Sequence, residues 1–428
     1  MHSAPAIEGA STAVTTVSIR ERFERALHRA LFAALVATLI FGPLALGIVQ
    51  DWSTAVLELA AAALLPLWLA WRLVATPARP IRWSPLFPPM LLILCVAIIQ
   101  ILFHRTVYLN DTLSELWLCL AYGILAFVAA QLLRHAYLLL FAKCAALFAS
   151  LYAVFAVLQG LTSNGRIYWL IKPHAGSVYG SYVNHNHYAG FMELLLPTAL
   201  VLALEPALRR EKRFLLAFST IVMAASIFLS QSRGGMIALI AEMLFLGLIW
   251  MIQFSPTKSA IIFFVFCLAT ALALVRIAPQ QIASRIADFS DPARLQIHRD
   301  SFRMFAAHPF LGSGLGTFPT VFPHYRVFYD GFIVNHAHDD YLELLLDAGS
   351  LGFAAAVWFL VALYRNGLRN LRLAKVSSSA RIAAAALAGC TGLLVHSFLD
   401  FNLHIPANAA WFYVLCILAS SPLSHNKA

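Results

Sequence analysis

The segment NHAHDDYLE at 335–343 packs two imidazoles and three carboxylates into nine residues, directly before the apolar run LLLDAGSLGFAAAVWFLVAL. An imidazole at the edge of a membrane can serve as a general base near neutral pH. His338 and His336 are therefore candidate bases, and Asp339 or Asp340 could orient one of them or raise its basicity. Asp340 and Glu343 have capping-box-like spacing, so a helix is expected to start at Asp339 or Asp340 and run into the apolar stretch.

A second chemical element is SQSRGG at 230–235. Ser232 is a natural N-cap for a helix that begins beside it. The unpaired N–H groups and positive dipole end of such a helix attract an anion. The Arg233 guanidinium adds a fork that fits phosphate oxygens. Ser232 and Arg233 are thus candidate ligands for a phosphate.

Metal chemistry has weaker support. His336, His338, His185 and His187 could supply nitrogen ligands, but H-x-H in two separate loops lacks the specificity of H-E-x-x-H on a helix. No resident metal or other cofactor is expected. The glycines at 312, 314 and 316 in HPFLGSGLGTF lack the strand context of a nucleotide loop and read as a tight turn.

Composition determines what must position these groups. The chain has 428 residues, 61% hydrophobic and 12% charged, about half the charge of a soluble domain. Twelve apolar runs read as membrane-spanning helices: 29–49, 54–75, 86–103, 113–133, 137–159, 188–204, 214–230, 235–254, 258–276, 344–364, 382–398 and 407–422. The expected class is an all-α integral membrane protein with about twelve transmembrane helices and a partly helical extramembrane cap. Its parts are a cytoplasmic tail (1–28), helices one to nine (29–276), a loop or cap carrying motifs (277–343), and helices ten to twelve with a short tail (344–428).

The net charge of +10 suggests nucleic acid at first sight. The basic residues instead occupy alternate loops: Arg20 to Arg29, Arg72 to Arg82, Arg209 to Arg213 and Arg365 to Arg381. That is the positive-inside pattern, and it puts both termini in the cytoplasm. No nucleic-acid partner is expected. The loop 160–187, the tip QSRGG, the segment 277–343 and HSFLDFNLHIP at 396–406 all fall on the outer side. Arg166, Lys172, Arg233, Arg276, Arg285, Arg294, Arg299, Arg303 and Arg326 sit there against the bias, which an anionic partner would explain. The six cysteines fall inside apolar runs with no C-x-x-C pair, so neither a disulfide framework nor a thiolate site is expected.

The order of these stretches resembles the O-antigen ligase and polysaccharide polymerase family. The resemblance rests on SQSRGG, then R-L-x-x-x-R with HPFLGSGLGTF, then NHAHDDYLELLLDAGSLG, and covers roughly 160–410. SYVNHNHYAGFMELLLP and HSFLDFNLHIP are also similar to stretches common in that family. It implies a glycosyltransferase of the bacterial inner membrane, multi-pass, with its active face periplasmic. The donor would be an undecaprenyl-pyrophosphate-linked glycan, and the acceptor either lipid A-core or another glycan. Besides these, the partners would be membrane lipids. By resemblance Arg233 and Arg294 match functional arginines, with Ser232 and Arg299 beside them, and the family's histidine falls on His338. His185 and His187 would support the site. The chain departs from the family in carrying Asp339 where asparagine is usual. The competing reading is a multi-pass polysaccharide or lipid transporter or flippase. Transporters commonly hold ionisable residues at mid-membrane, and these spans are nearly free of charge apart from Glu58, Glu193 and Glu242 near or within them.

Overall fold

The computed structural model describes residues 18–75, 80–173, 176–254, 292–328, 331, 333–374 and 376–422. Among them the chain is helical, with two isolated β-bridges. In order, the helices are α1 (Ile19–Leu44), α2 (Asp51–Val74), α3 (Phe87–Leu102), α4 (Leu109–Leu132), α5 (His135–Thr162), α6 (His185–Ala203) and α7 (Arg210–Leu229). They continue with α8 (Arg233–Gln253), α9 (Pro292–Ala307), α10 (Phe318–Val321), α11 (Asp340–Leu373), α12 (Ser378–His396) and α13 (Pro406–Ser420).

Eleven of the twelve expected spans are helices; the ninth, 258–276, lies outside the described residues, as do Arg276 and Arg285. Among the described residues, eight helices are long and apolar enough to cross a membrane, which makes this a multi-pass membrane protein. Helices α3 and α13 are apolar but have only 16 and 15 residues. At ~1.5 Å per residue they are shorter than the ~30 Å hydrocarbon layer. Helix α6 opens with His185, Asn186 and His187, a polar first turn that lowers its hydropathy. Both α6 and α13 are buried on nearly every side, so other helices rather than lipid surround them.

The expected tail 1–28 is described from residue 18 onward. Helix α1 begins at Ile19, capped by the Ser18 side chain, which accepts from the Glu21 N–H at 3.2 Å. Hydropathy stops at the charged residues, but backbone hydrogen bonding continues through them.

Small residues let the central helices approach closely. The run Ala383–Ala386 with Ala388 and Gly389 buries α12 against α6. A Cβ on Gly389 would stand 2.5 Å from the Leu194 carbonyl oxygen, so only glycine fits that crossing.

Helix α11 is broken at Gly349, whose φ of 64° and ψ of −170° lie in a region that is essentially glycine-only. The break lets the turn 309–316 seat against α11: Ser350 and Leu351 N–H donate to the carbonyls of Pro309 and Phe310 at 2.9 and 3.2 Å. The HPFLGSGLGTF glycines at 312, 314 and 316 all have positive φ, so this is a tight turn. Its neighbours α9 and α10 close a small apolar cluster of Ile297, Met304, Phe318, Val321, Phe322, Ala337 and Leu346 over the start of α11. At the opposite end of the helices, Arg381 Nη1 pairs with Glu205 Oε2 at 2.7 Å, tying two of the basic connections together.

Candidate functional site

The turn 396–404 between α12 and α13 is the point on which the chemical motifs converge. Four helix starts reach it. The Asp340 N–H at the head of α11 donates to the Ser397 carbonyl at 2.9 Å. Asn186, in the first turn of α6, donates from its side-chain amide to Asp400 Oδ2. Gly234, in the first turn of α8, lies so close to His396 that a Cβ there would meet the ring at 2.5 Å. Near the head of α9, Arg294 donates from Nη1 to the Leu399 carbonyl at 2.6 Å.

His338 stands over this turn. Its φ of 55° is in the left-handed region, uncommon outside glycine and enriched where a site constrains the backbone. Its Nδ1 lies 3.2 Å from Asp400 Oδ1, and the side chains are 31% and 1% exposed. A carboxylate can only accept, so Nδ1 carries the proton and Nε2 holds the lone pair of the neutral ring. Burial alone would raise the Asp400 pKa. The hydrogen bond from His338 and the fields of His187 and His338 outweigh it and hold the carboxyl well below the usual range. Asp400 thus stays an anion that orients the imidazole. The Phe401 N–H holds the same oxygen at 2.9 Å.

Asp339 and Asp340, the expected orienting carboxylates, have other partners. Asp339 is the N-cap of α11, accepting from the N–H groups of Tyr341 and Leu342 at 2.9 and 3.0 Å. Asp340 accepts from His404 Nδ1 at 2.7 Å and from the Leu403 N–H at 2.9 Å. Glu343 closes no capping box. It reaches back to His336 Nδ1 and the Ala337 N–H, each at 2.8 Å. For His404, burial alone would lower the pKa, but Glu343 and Asp340 dominate and hold it well above the usual imidazole value.

Phe401 arranges three imidazoles. His336 stacks on it at 4.0 Å, while His338 and His187 meet it edge-on at 5.1 and 4.6 Å. His187 is buried with its Nε2 3.4 Å from the Asn184 amide. His185 sits farther out, its Nδ1 2.6 Å from the Ser230 carbonyl, so it ties α6 to the SRGG turn.

The arginines divide in a way the helix explains. Ser232 is fully buried and caps α8, accepting from the Gly235 N–H at 3.1 Å, which places Arg233 at the helix start. Arg294 is partly buried against the turn. Arg299, five residues along α9, falls roughly 140° around the axis and is exposed. The structure therefore brings together His336, His338, Asp339, Asp340, His187 and Arg294, with Ser232 and Arg233 on the adjoining α8 start and His185 of α6 tied to it through the Ser230 carbonyl, and leaves Arg299 outside.

Asp400, Asn186, Phe401 and His404 escaped the sequence reading as site residues. HSFLDFNLHIP stands out as polar and histidine-rich, but its separation of about sixty residues from NHAHDDYLE carries no periodic signal. No curated protein matches the chain in sequence. Residues 218–357, which span α8, α9 and the His338 segment, match the family model described as O-antigen ligase. That segment supports an assignment to the O-antigen ligase family.

Proposed function

We propose that the protein transfers a glycan from undecaprenyl pyrophosphate to an acceptor hydroxyl at the periplasmic face of the bacterial inner membrane. The observation that carries this reading is the His338–Asp400 pair on the same turn that anchors Arg294 and abuts the start of α8. His338 Nε2 takes the proton of the acceptor hydroxyl. The freed oxygen attacks the anomeric carbon, and the carbon–oxygen bond to the pyrophosphate breaks. Undecaprenyl pyrophosphate leaves with the electron pair, its charge met by Arg233, Arg294 and the α8 N-terminus. The leaving group supplies the driving force, so no nucleotide and no divalent ion enters the steps.

The acceptor distinguishes lipid A-core ligation from polymerisation of the repeat unit. The test is purified protein with a synthetic undecaprenyl-pyrophosphate glycan, offered lipid A-core or a second lipid-linked glycan. Acceptor-dependent release of undecaprenyl pyrophosphate is expected. Absence of release with every acceptor, from protein that still binds the donor, sinks the reading.

A transporter reading draws on one observation. His396 Nδ1 lies 3.1 Å from Glu193 Oε1 with both side chains fully buried, and Glu242 is buried among the helices. Intramembrane ionisable groups often mark transport paths. Movement of intact lipid-linked glycan across proteoliposomes, without cleavage, would favour it.

A further inference from the structure

His336, Glu343 and His404 each offer one ligand atom, and these atoms all lie within 4.8 Å of one another. His336 Nδ1 is 2.8 Å and His404 Nε2 is 3.5 Å from the same oxygen, Glu343 Oε1. Two ligands held at ~2.1 Å by a tetrahedral zinc ion stand about 3.4 Å apart. The cluster has close to that spacing already.

Proton placement points the same way. His404 Nδ1 is 2.7 Å from Asp340 Oδ1, so that nitrogen is the donor. Its Nε2 then turns towards Glu343 either a lone pair or a second proton. A lone pair facing a carboxylate at 3.5 Å is repulsive, so that edge carries positive charge, which either a second proton or a metal ion in its place supplies. A carboxylate holding the far nitrogen of an imidazole is the arrangement that orients metal-bound histidine. Glu343 and Asp340 are both buried to 3% exposure or less beside these two imidazoles. Asp347 lies one helical turn beyond Glu343, and its Oδ1 has no hydrogen-bond partner. The His336 and His404 side chains are 25% and 20% exposed, which leaves one side of the cluster open to solvent.

We propose that His336, Glu343 and His404 form a zinc site with Asp340 as the carboxylate behind His404 and a fourth position open to water. Two imidazoles and a carboxylate suit zinc, whereas magnesium prefers oxygen alone. The ion ties the 335–343 segment to the 396–404 turn and takes no part in glycan transfer. The site stands independently of the transfer reading, and it departs from the sequence expectation of no metal. That expectation weighed His336 with His338, His185 and His187, none of which joins it in this cluster.

The experiment uses the full chain in detergent, stripped with a chelator, dialysed and titrated with zinc chloride or magnesium chloride. A single zinc ion per chain and a raised melting temperature are expected, with no shift from magnesium. Glu343→Gln and His404→Gln should lose both responses. Asp340→Asn should weaken zinc binding about 10–100-fold, and His104→Gln, an exposed histidine outside the cluster, should bind normally. Cobalt(II) loaded into the wild-type chain should show the visible bands of tetrahedral coordination, a readout that does not depend on any variant folding. Wild-type protein that takes up no zinc and keeps its melting temperature overturns the proposal. So does uptake that is unchanged in both Glu343→Gln and His404→Gln, or a cobalt spectrum without tetrahedral bands.

Discussion

His338 and Asp400 are separated by 62 residues in the chain and meet at 3.2 Å, Nδ1 to Oδ1, across the junction of α11 and the 396–404 turn. A partly exposed imidazole fixed by a buried carboxylate has one nitrogen committed and the other available. His338→Ala should therefore lower transfer by about 10²–10⁴-fold. Asp400→Asn should lower it by about 10²-fold or more, because an amide can donate to Nδ1 and favour the wrong tautomer. Both losses should fall on kcat with donor binding nearly intact. Turnover and carrier-lipid binding measured side by side check this. Mild, equal losses in His338→Ala and His336→Ala would move the base to another group.

In the proposed transfer, Arg233 and Arg294 carry the electrostatic part. Replacing either with alanine should reduce transfer by about 10²-fold, as for loss of one preorganised donor. Lysine should rescue only partly, since a point charge cannot reproduce the guanidinium fork. Arg299→Ala should cost less, because that side chain is exposed on another face of α9. Near-normal transfer by Arg233→Ala at unchanged membrane levels would reduce Arg233 to a topology anchor.

The proposed orientation rests on the basic connections. With both termini, 205–213 and 365–381 cytoplasmic, a cysteine at Arg303, whose side chain is 61% exposed, should react with a reagent added from the periplasm. A cysteine at Glu211 should react only after the membrane is opened. The comparison needs a background without the native cysteines. Reversed labelling would overturn the assignment of the active face.

The break in α11 is testable through its backbone. At Gly349 a Cβ would stand 2.4 Å from the Phe310 carbonyl, in a conformation that side-chain-bearing residues avoid. Gly349→Ala should destabilise the protein by roughly 1–3 kcal/mol from backbone strain alone. Thermal unfolding in detergent reads this directly, and an unchanged melting temperature would mean the turn 309–316 does not seat against α11.

Asp400 gives a pH dependence. Its folded pKa lies below the unfolded value of about 3.9. As pH falls, the unfolded chain takes up that proton first. The stabilisation is therefore present above about pH 4 and is lost below it. The melting temperature should drop more steeply between about pH 5 and pH 3 in wild type than in Asp400→Asn. Parallel curves for the two proteins would show that Asp400 is not held as a low-pKa anion.

The helices and their ends were legible in the sequence because their causes are local. Apolar runs mark Asp51–Val74 or Arg233–Gln253, and the caps Ser232 and Asp339 act within three residues. Hydropathy does not mark where α1 begins, because hydrogen bonding runs past its last apolar turn, nor that neighbouring helices rather than lipid surround α6 and α13. The motifs 230–235 and 335–343 were visible for the same local reason. Partner choice was not local. Asp339 and Asp340 stand next to His338 in the chain, yet the first is spent on the cap of α11 and the second on His404. Asp400 reaches His338, and Arg294 reaches Leu399 over 105 residues, only because α9, α11 and α12 bring their ends to one turn. A helix start projects adjacent side chains about 100° apart. Neighbours in sequence therefore face different groups, and the packing of whole helices decides which carboxylate meets which imidazole.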